Sequence, residues 1–219
     1  MNHDFATNKP HIVTIGGGTG TFAVLQGLKH YDVDLSAIVT MADSGGSTGR
    51  LRDEFGFLPV GDVRMALVAL ADESYEDDLL RKLFLYRFDR GKDGLKGHNS
   101  GNLFLLALQD ILGSDAEAIE LASRVLRVKG QVVPVTGDDT QLIATYENGK
   151  TVLGEDEIDE PPKEHDLKMR ITHLDSNPKA KINLKASKAI QSADMIILGP
   201  GDLYTSLLAN IVVDGVAEA

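Results

Sequence analysis

The residues of this chain whose type and setting come closest to chemistry are two acids, Asp43 and Asp62. Asp43 closes an apolar run, Leu35 to Ala42, and is followed by Ser44, Gly45 and Gly46. A carboxylate at a strand end can accept from a ribose hydroxyl, or hold Mg²⁺ with a second carboxylate such as Asp62; the plainer role is an Asx-type turn. Asp62 opens an apolar segment, where an acid caps the first helical turn. It serves as a metal ligand too if the cap faces a cleft. Arg50 and Arg52 can both be solvated, and Arg50, directly after a glycine turn, is the better phosphate clamp of the two. His98, Asn99 and Asn102 open a later helix, and the two amides can cap it or hydrogen-bond a base or sugar. A lone histidine is a site residue or a structural one, and the other histidines show no metal-binding spacing.

The element that must position these groups is the first glycine turn. Ile12, Val13 and Ile15 form a β-branched run that reads as a buried strand. Gly16, Gly17, Gly18, Thr19 and Gly20 follow, and then Phe22, Leu25 and Leu28 recur at helical spacing. Strand, glycine turn and helix open a doubly wound nucleotide fold. Backbone without Cβ atoms can approach a phosphate, and the helix aims unpaired N–H groups and its positive dipole end at it. Gly18-x-Gly20-x-x-Ala23 fits the relaxed dinucleotide pattern, and no Lys-Ser/Thr follows to make a Walker loop.

Further along, the reading gives helices over 61–72, 77–88 and 115–127, the last with Ile119, Ala122 and Leu126 inward. The apolar face of the second comprises Leu79, Leu80, Leu83 and Phe84. Residues 131–136 form a strand that Pro134 assigns to an edge. Asn148-Gly149 makes a two-residue hairpin turn, 168–174 a strand, and 183–193 a short helix. Met195 to Leu198, then Gly199-Pro200-Gly201, then a helix, repeats the opening theme. The expectation is an α/β, Rossmann-like single domain over 1–219, with a mostly parallel sheet, flanking helices and a hairpin-bearing insertion at about 138–180. The ending, IVVDGVAEA, begins an element without finishing it, so the chain reads as an N-terminal fragment.

Three glycine turns, 16–20, 43–49 and 199–202, then share the carboxyl edge of the sheet with Gly61-Asp62 and 98–100, which suggests one cleft for phosphates and polar groups. The ordered set GGGTG, MADSGGSTGRLR, GDVRMALVALAD, HNSGN and GPGDLYTSLLAN resembles the bacterial gluconeogenesis factor family, which is related to 2-phospho-L-lactate transferase. The resemblance covers nearly the whole chain. It implies a Rossmann-like core, binding of a nucleotide sugar of the UDP-glucose or UDP-N-acetylglucosamine kind, and a role in cell shape and growth on gluconeogenic carbon sources. Its members usually run longer. Asp202 departs from the family's usual GPGSLYTS, and an acid there disfavours a phosphate.

Composition narrows the field. The 219 residues are 42% hydrophobic and 25% charged, which is globular. There is no cysteine for a disulfide, thiolate metal site or thiol nucleophile. The net charge of −11 leaves no basic stripe for nucleic acid, and no apolar run reaches the length of a membrane span. The start lacks a signal-peptide core, so the cytoplasm is the expected compartment, and a homo-oligomer is compatible. Seven acids against one lysine over 155–166 read as a solvated loop.

Two functions follow: a nucleotide-sugar-binding regulatory protein without established catalysis, or a Mg²⁺-dependent transferase moving a phospholactyl-like group from a nucleotide diphosphate carrier. The latter needs an acceptor pocket for a flat deazaflavin, and 5% aromatic residues without tryptophan disfavour a stacking platform. A dehydrogenase does not explain the second glycine turn after Asp43. Gly45-Gly46-Ser47-Thr48-Gly49 also matches a hydrolase elbow, but Gly56 and Pro59 predict that no firm helix follows it.

Overall fold

The computed structural model describes residues 9–73, 75–90, 94–161 and 168–219. Four strands, β1 (His11–Gly16), β2 (Asp34–Val39), β3 (Gln131–Pro134) and a last strand, Met195–Leu198, form an all-parallel sheet. The order is β3-β2-β1 and then the last strand, with β1 central and β3 at an edge, where Pro134 withholds no ladder hydrogen bond that matters. Alternate residues of β2 serve opposite faces. Leu35, Ala37 and Val39 enter one core, while Ile38 joins Val13, Ile15 and Val133 in another. A parallel sheet covered on both faces requires this run without polar alternation.

The larger core lies under α1 (Gly18–Leu28), α3 (Gly61–Leu70), α4 (Tyr75–Leu85), α5 (Ser100–Leu112) and α6 (Asp115–Val125). Buried almost all round, α3 is the central helix of that layer. On α4, Phe84 is buried and Leu80 packs against the core, but Leu79 and Leu83 face solvent, at 71% and 49% exposure. The expected four-residue apolar face is therefore half that width.

A helix that the sequence reading excluded is present: α2 (Gly46–Phe55). Gly56, at φ 72°, is its left-handed cap, and Pro59 lies beyond it. The two residues taken as interruptions are terminators. The second strand is shorter than expected, ending at Val39, so Asp43 stands four residues beyond the sheet.

The insertion forms its own antiparallel sheet, β5-β4-β6, from β4 (Gln141–Tyr146), β5 (Thr151–Leu153) and β6 (Ile171–Asn177). The hairpin has three loop residues rather than two. Tyr146 N–H donates to Lys150, and Gly149, at φ 80°, supplies the left-handed position of the bulge. The acidic stretch is not all solvated loop: Glu155–Asp159 is a short helix, α7, with Ile158 buried; positions 162–167 lie outside the described residues. After α8 (Leu184–Gln191) comes the last strand, β7 (Met195–Leu198), and then Leu203–Leu208 as a π-helical turn running into α9 (Ala209–Ile211). Among the described residues no helix is long and apolar enough to cross a membrane.

Candidate functional site: an acid and arginine cleft

The N-terminal ends of α2, α3 and α5 converge beyond β1 and β2 around a cleft of about 250 Å³. Asp43, Asp62, Arg64, Arg87 and Asn102 line it. Asp43 accepts from Gly45 N–H at 3.1 Å and is held by the Thr48 hydroxyl. Asp62, in the first turn of α3, does not cap its own helix. Its Oδ1 accepts from Gly18 N–H, at the start of α1, at 2.9 Å. The backbone closes around both carboxylates. A Cβ on Gly17 would collide with Asp62 Oδ2, and a Cβ on Gly61 with Asp43 Oδ2.

Crowding three acids into a partly buried space raises their pKa values. Burial, and then the charge of Asp43, push Asp62 up to about 7. Burial is also the main cause for Glu155, likewise pushed up to about 7, with Asp43 second, and for the upward shift of Asp43 itself. Arg64, 8% exposed, is lowered to about 10 by its burial and then by Arg87. Its Nε has no partner, and one terminal nitrogen reaches the Phe84 carbonyl at 3.5 Å.

The remaining predicted residues sort themselves by contact. Gly16, Gly20, Gly199 and Gly201 lie where two turns press together. A Cβ on Gly20 would strike the Pro200 carbonyl, one on Gly16 would strike Thr21 Oγ1 and lie 3.7 Å from Gly199, and one on Gly201 would lie 2.9 Å from Ser206. Contacts within the protein account for Gly16, Gly20 and Gly201, and a left-handed φ of 81° for Gly199. Gly18 is left-handed at φ 65° with open space around it, and Thr19 is exposed. Gly46, at φ 49°, begins α2 with nothing near its missing Cβ. Ser44 Oγ accepts from Asp156 N–H at 3.0 Å and so pins α7 over the cleft. Arg50 is exposed and donates to the Lys96 carbonyl at 3.1 Å, and Arg64 and Arg87 line the cleft instead. Asn99 is the cap of α5, accepting from Gly101 and Asn102 N–H at 2.8 and 3.2 Å. Asn102 donates to Thr48 Oγ1 at 3.2 Å, and its own Oδ1, buried at the cleft wall, has no partner. Asp202 is exposed and caps the π-helical turn, accepting from Tyr204 and Thr205 N–H at 2.9 and 3.2 Å, so those two donors are already engaged.

Ser47, the nucleophile of the hydrolase-elbow reading, is buried. Its hydroxyl meets His98 Nδ1 at 3.2 Å and accepts from Asn99 N–H at 3.2 Å, so both residues are joints between α2 and α5. Burial, with Arg50 next, lowers the His98 pKa.

Arg64 and Arg87, which line the cleft, and Glu155, which feels the charges of its acids, escaped the sequence reading. Arg64 carries a signal, a guanidinium inside the otherwise apolar Val63–Leu70. Glu155 was hidden in an acidic run, and Arg87 has no local mark. Among the described residues no group of three histidine, cysteine or acidic side chains could hold a metal by itself. Mg²⁺ needs less, since one or two carboxylates suffice when phosphate and water complete its octahedron. Asp43 and Asp62 fit that requirement as a pair.

The sequence model described as 2-phospho-L-lactate transferase CofD matches residues 12–219. The chain belongs to the CofD family. Within it, the chain is 50% identical over 210 residues to a Nostoc sp. protein bearing the gluconeogenesis-factor name, covering 96% of this chain and 44% of that one. It is 43% identical over 211 residues to the gluconeogenesis factor of Bacillus subtilis, covering 96% and 63%. A crystal structure of a Bacillus halodurans protein of the UPF0052 family superposes with a TM-score of 0.88 at 41% identity, covering 97% of this chain and 66% of that one. The chain thus spans about half to two thirds of the length of these CofD-family relatives.

Proposed function

We propose that the cleft takes the diphosphate of a UDP-sugar and that the chain is the nucleotide-binding portion of a cytoplasmic regulatory protein of gluconeogenesis-factor type, supporting cell shape on gluconeogenic carbon sources. One observation carries the reading: the Asp62 carboxylate sits on the Gly18 N–H that would otherwise greet a phosphate, with Asp43 beside it and Arg64 and Arg87 across the cleft. A bare anion meets two acids there. A diphosphate brought with a divalent cation meets two ligands for the cation and two guanidinium groups for its own charge. Bound Mg²⁺ would supply charge neutralisation and orientation of the diphosphate. Asp43 and Asp62 would hold it, and Arg64 and Arg87 would fix the phosphate oxygens.

The same pair of carboxylates favours a second reading, a CofD-like transferase acting on a nucleotide diphosphate carrier, in which the arginines stabilise charge on the diphosphate as its P–O–P bond breaks, the phospholactyl-like group passing to the acceptor hydroxyl and the nucleoside monophosphate leaving. Calorimetry with a UDP-sugar, with Mg²⁺ and with chelator, tests the first. The expected outcome is binding that weakens by about tenfold or more when Mg²⁺ is removed or Asp43→Asn is introduced. Tight binding in chelator, unchanged in the variant, overturns the metal-bridged site. Turnover of the carrier in the presence of a deazaflavin acceptor would select the transferase.

A further inference from the structure

Strand β3 is an edge of the parallel sheet. Two adjoining cavities of about 410 and 450 Å³ run beside it and share Ala116 and Ile119 of α6, Val132 and Val133 of β3, and Lys185 of α8. Ile119 belongs to the core on one face of the sheet and Ala186 of α8 to the core on the other. A hollow that touches both helices and β3 therefore lies along the open side of the strand. The valine side chains are committed to those two cores, so the strand offers the groove its main chain. Which groups face outward follows from the ladder. Ile38 stands opposite Val133, and Val135 N–H donates to the Val39 carbonyl at 2.8 Å. Gln131, Val133 and Val135 thus turn their polar groups toward β2. Val132 turns its N–H and C=O to the open side, and Pro134 its carbonyl. No turn, cap or loop hydrogen bond engages these three groups among the described residues.

The groove is cationic at one end, in a chain of net charge −11. Arg124, Arg127 and Lys185 line the second cavity against one acid, Glu120, while Asp115 lines the first. Arg124 and Lys185 are exposed, one on each flanking helix, and neither has an ion-pair partner among the described residues. An unpaired strand edge is a template for an extended segment, whose main chain gives affinity and whose side chains give selectivity. Here the wall selects an apolar side chain at Ile119 and the flanking cations select acids. The chain's own acidic run does not supply them, because Glu155–Asp159 is helical and held by Ser44.

We propose that this groove docks an acidic, extended segment of another protein, which adds a strand to the sheet beside β3. Its main chain pairs with the Val132 N–H and C=O, an apolar side chain lies against Ile119, and carboxylates reach Arg124 and Lys185. Pro134 brings an acceptor and no donor, which centres the pairing on Val132. The site is separate from the diphosphate cleft and does not depend on that reading.

The test is a fluorescence-anisotropy titration of the 219-residue chain with a labelled hexapeptide of alternating glutamate and valine, and with its lysine and valine counterpart. The expected result is saturable binding of the first, at least about tenfold tighter than the second, and weaker as salt is raised. Arg124→Glu combined with Lys185→Glu, both at exposed positions, should cost about tenfold or more while the circular dichroism stays unchanged. Charge attraction alone would give that much, so strand pairing is read separately in the wild type, a readout that survives if the double variant fails to fold. Alternate N–H groups of an extended chain face opposite edges. Of two hexapeptides, one N-methylated on its valines and one on its glutamates, one should therefore lose about tenfold in affinity and the other should not. Hydrogen exchange at the Val132 amide should slow when the unmethylated peptide binds. Absence of saturable binding, equal affinity for the lysine peptide, wild-type affinity in the folded double variant, an equal response to the two methylations, or unchanged exchange at Val132 overturns the proposal.

Discussion

Asp62 is held in two ways that oppose each other: the Gly18 N–H stabilises its charge, and burial beside Asp43 penalises it. The penalty is the larger, so its folded pKa of about 7 lies above the ordinary 3.8. The native state therefore holds a proton that the unfolded chain has released over that interval, and stability falls as pH rises through it. Glu155 acts in the same direction. Thermal denaturation without ligand should show a protein more stable at pH 5 than at pH 8. Asp62→Asn keeps an acceptor for Gly18 and removes the charge. It should raise stability at pH 8 by on the order of a few kcal/mol and flatten the pH dependence between 4 and 7. An Asp62→Asn protein less stable than wild type at pH 8 would show that the carboxylate is a net asset without its cation. Asn99 supports α5 more simply, with two N–H groups on one oxygen. Asn99→Ala should cost about 0.5–2 kcal/mol in urea denaturation, as lost caps do, and leave the slope unchanged.

The elements most legible in the sequence are those set by local rules. The β-branched runs of β1 and β2, the glycine turn into α1, the edge position of β3 and the Met195–Leu198 strand all stand where the pattern puts them. The glycines are ambiguous in the sequence, which does not say what presses on them. At Gly20 and Gly201 it is protein, not phosphate. The helix α2 was missed because Gly56 can interrupt or terminate, and its left-handed φ of 72° decides the matter. The site was half legible: Asp43, Asp62 and Asn102 are cleft residues, but Arg50 is not among its lining. Glu155 reaches Asp43 because Ser44 pins α7, 112 residues later, across the turn. No pattern local to either segment encodes that contact. Ser44→Ala should free α7 and lower the protection of its amides in hydrogen exchange by about tenfold, the loss of one net hydrogen bond.

Across the whole molecule, β7 breaks the habit of parallel strands. Met195, Ile196 and Leu198 are 55%, 45% and 58% exposed, although strands of this kind are ordinarily covered on both faces. An apolar strand open along one edge is a template for pairing with another chain. The isolated 219-residue chain should self-associate with concentration, and Ile196→Lys should lower its light scattering without unfolding it; equal scattering would place the association elsewhere.

Two buried, orphaned amide oxygens lie seven residues apart on α5, on Asn102, whose residue lines the acid cleft, and on Gln109, near the helix's far end. That is two helical turns, about 10 Å along a single face. A helix is stiff along its axis, so a ligand that shifted α5 as a body at one end would shift it at the other. Thermodynamic linkage would then permit no one-way effect: whatever factor a ligand of the acid cleft imposed on binding at the far end of α5, a ligand there would have to impose in return on the cleft.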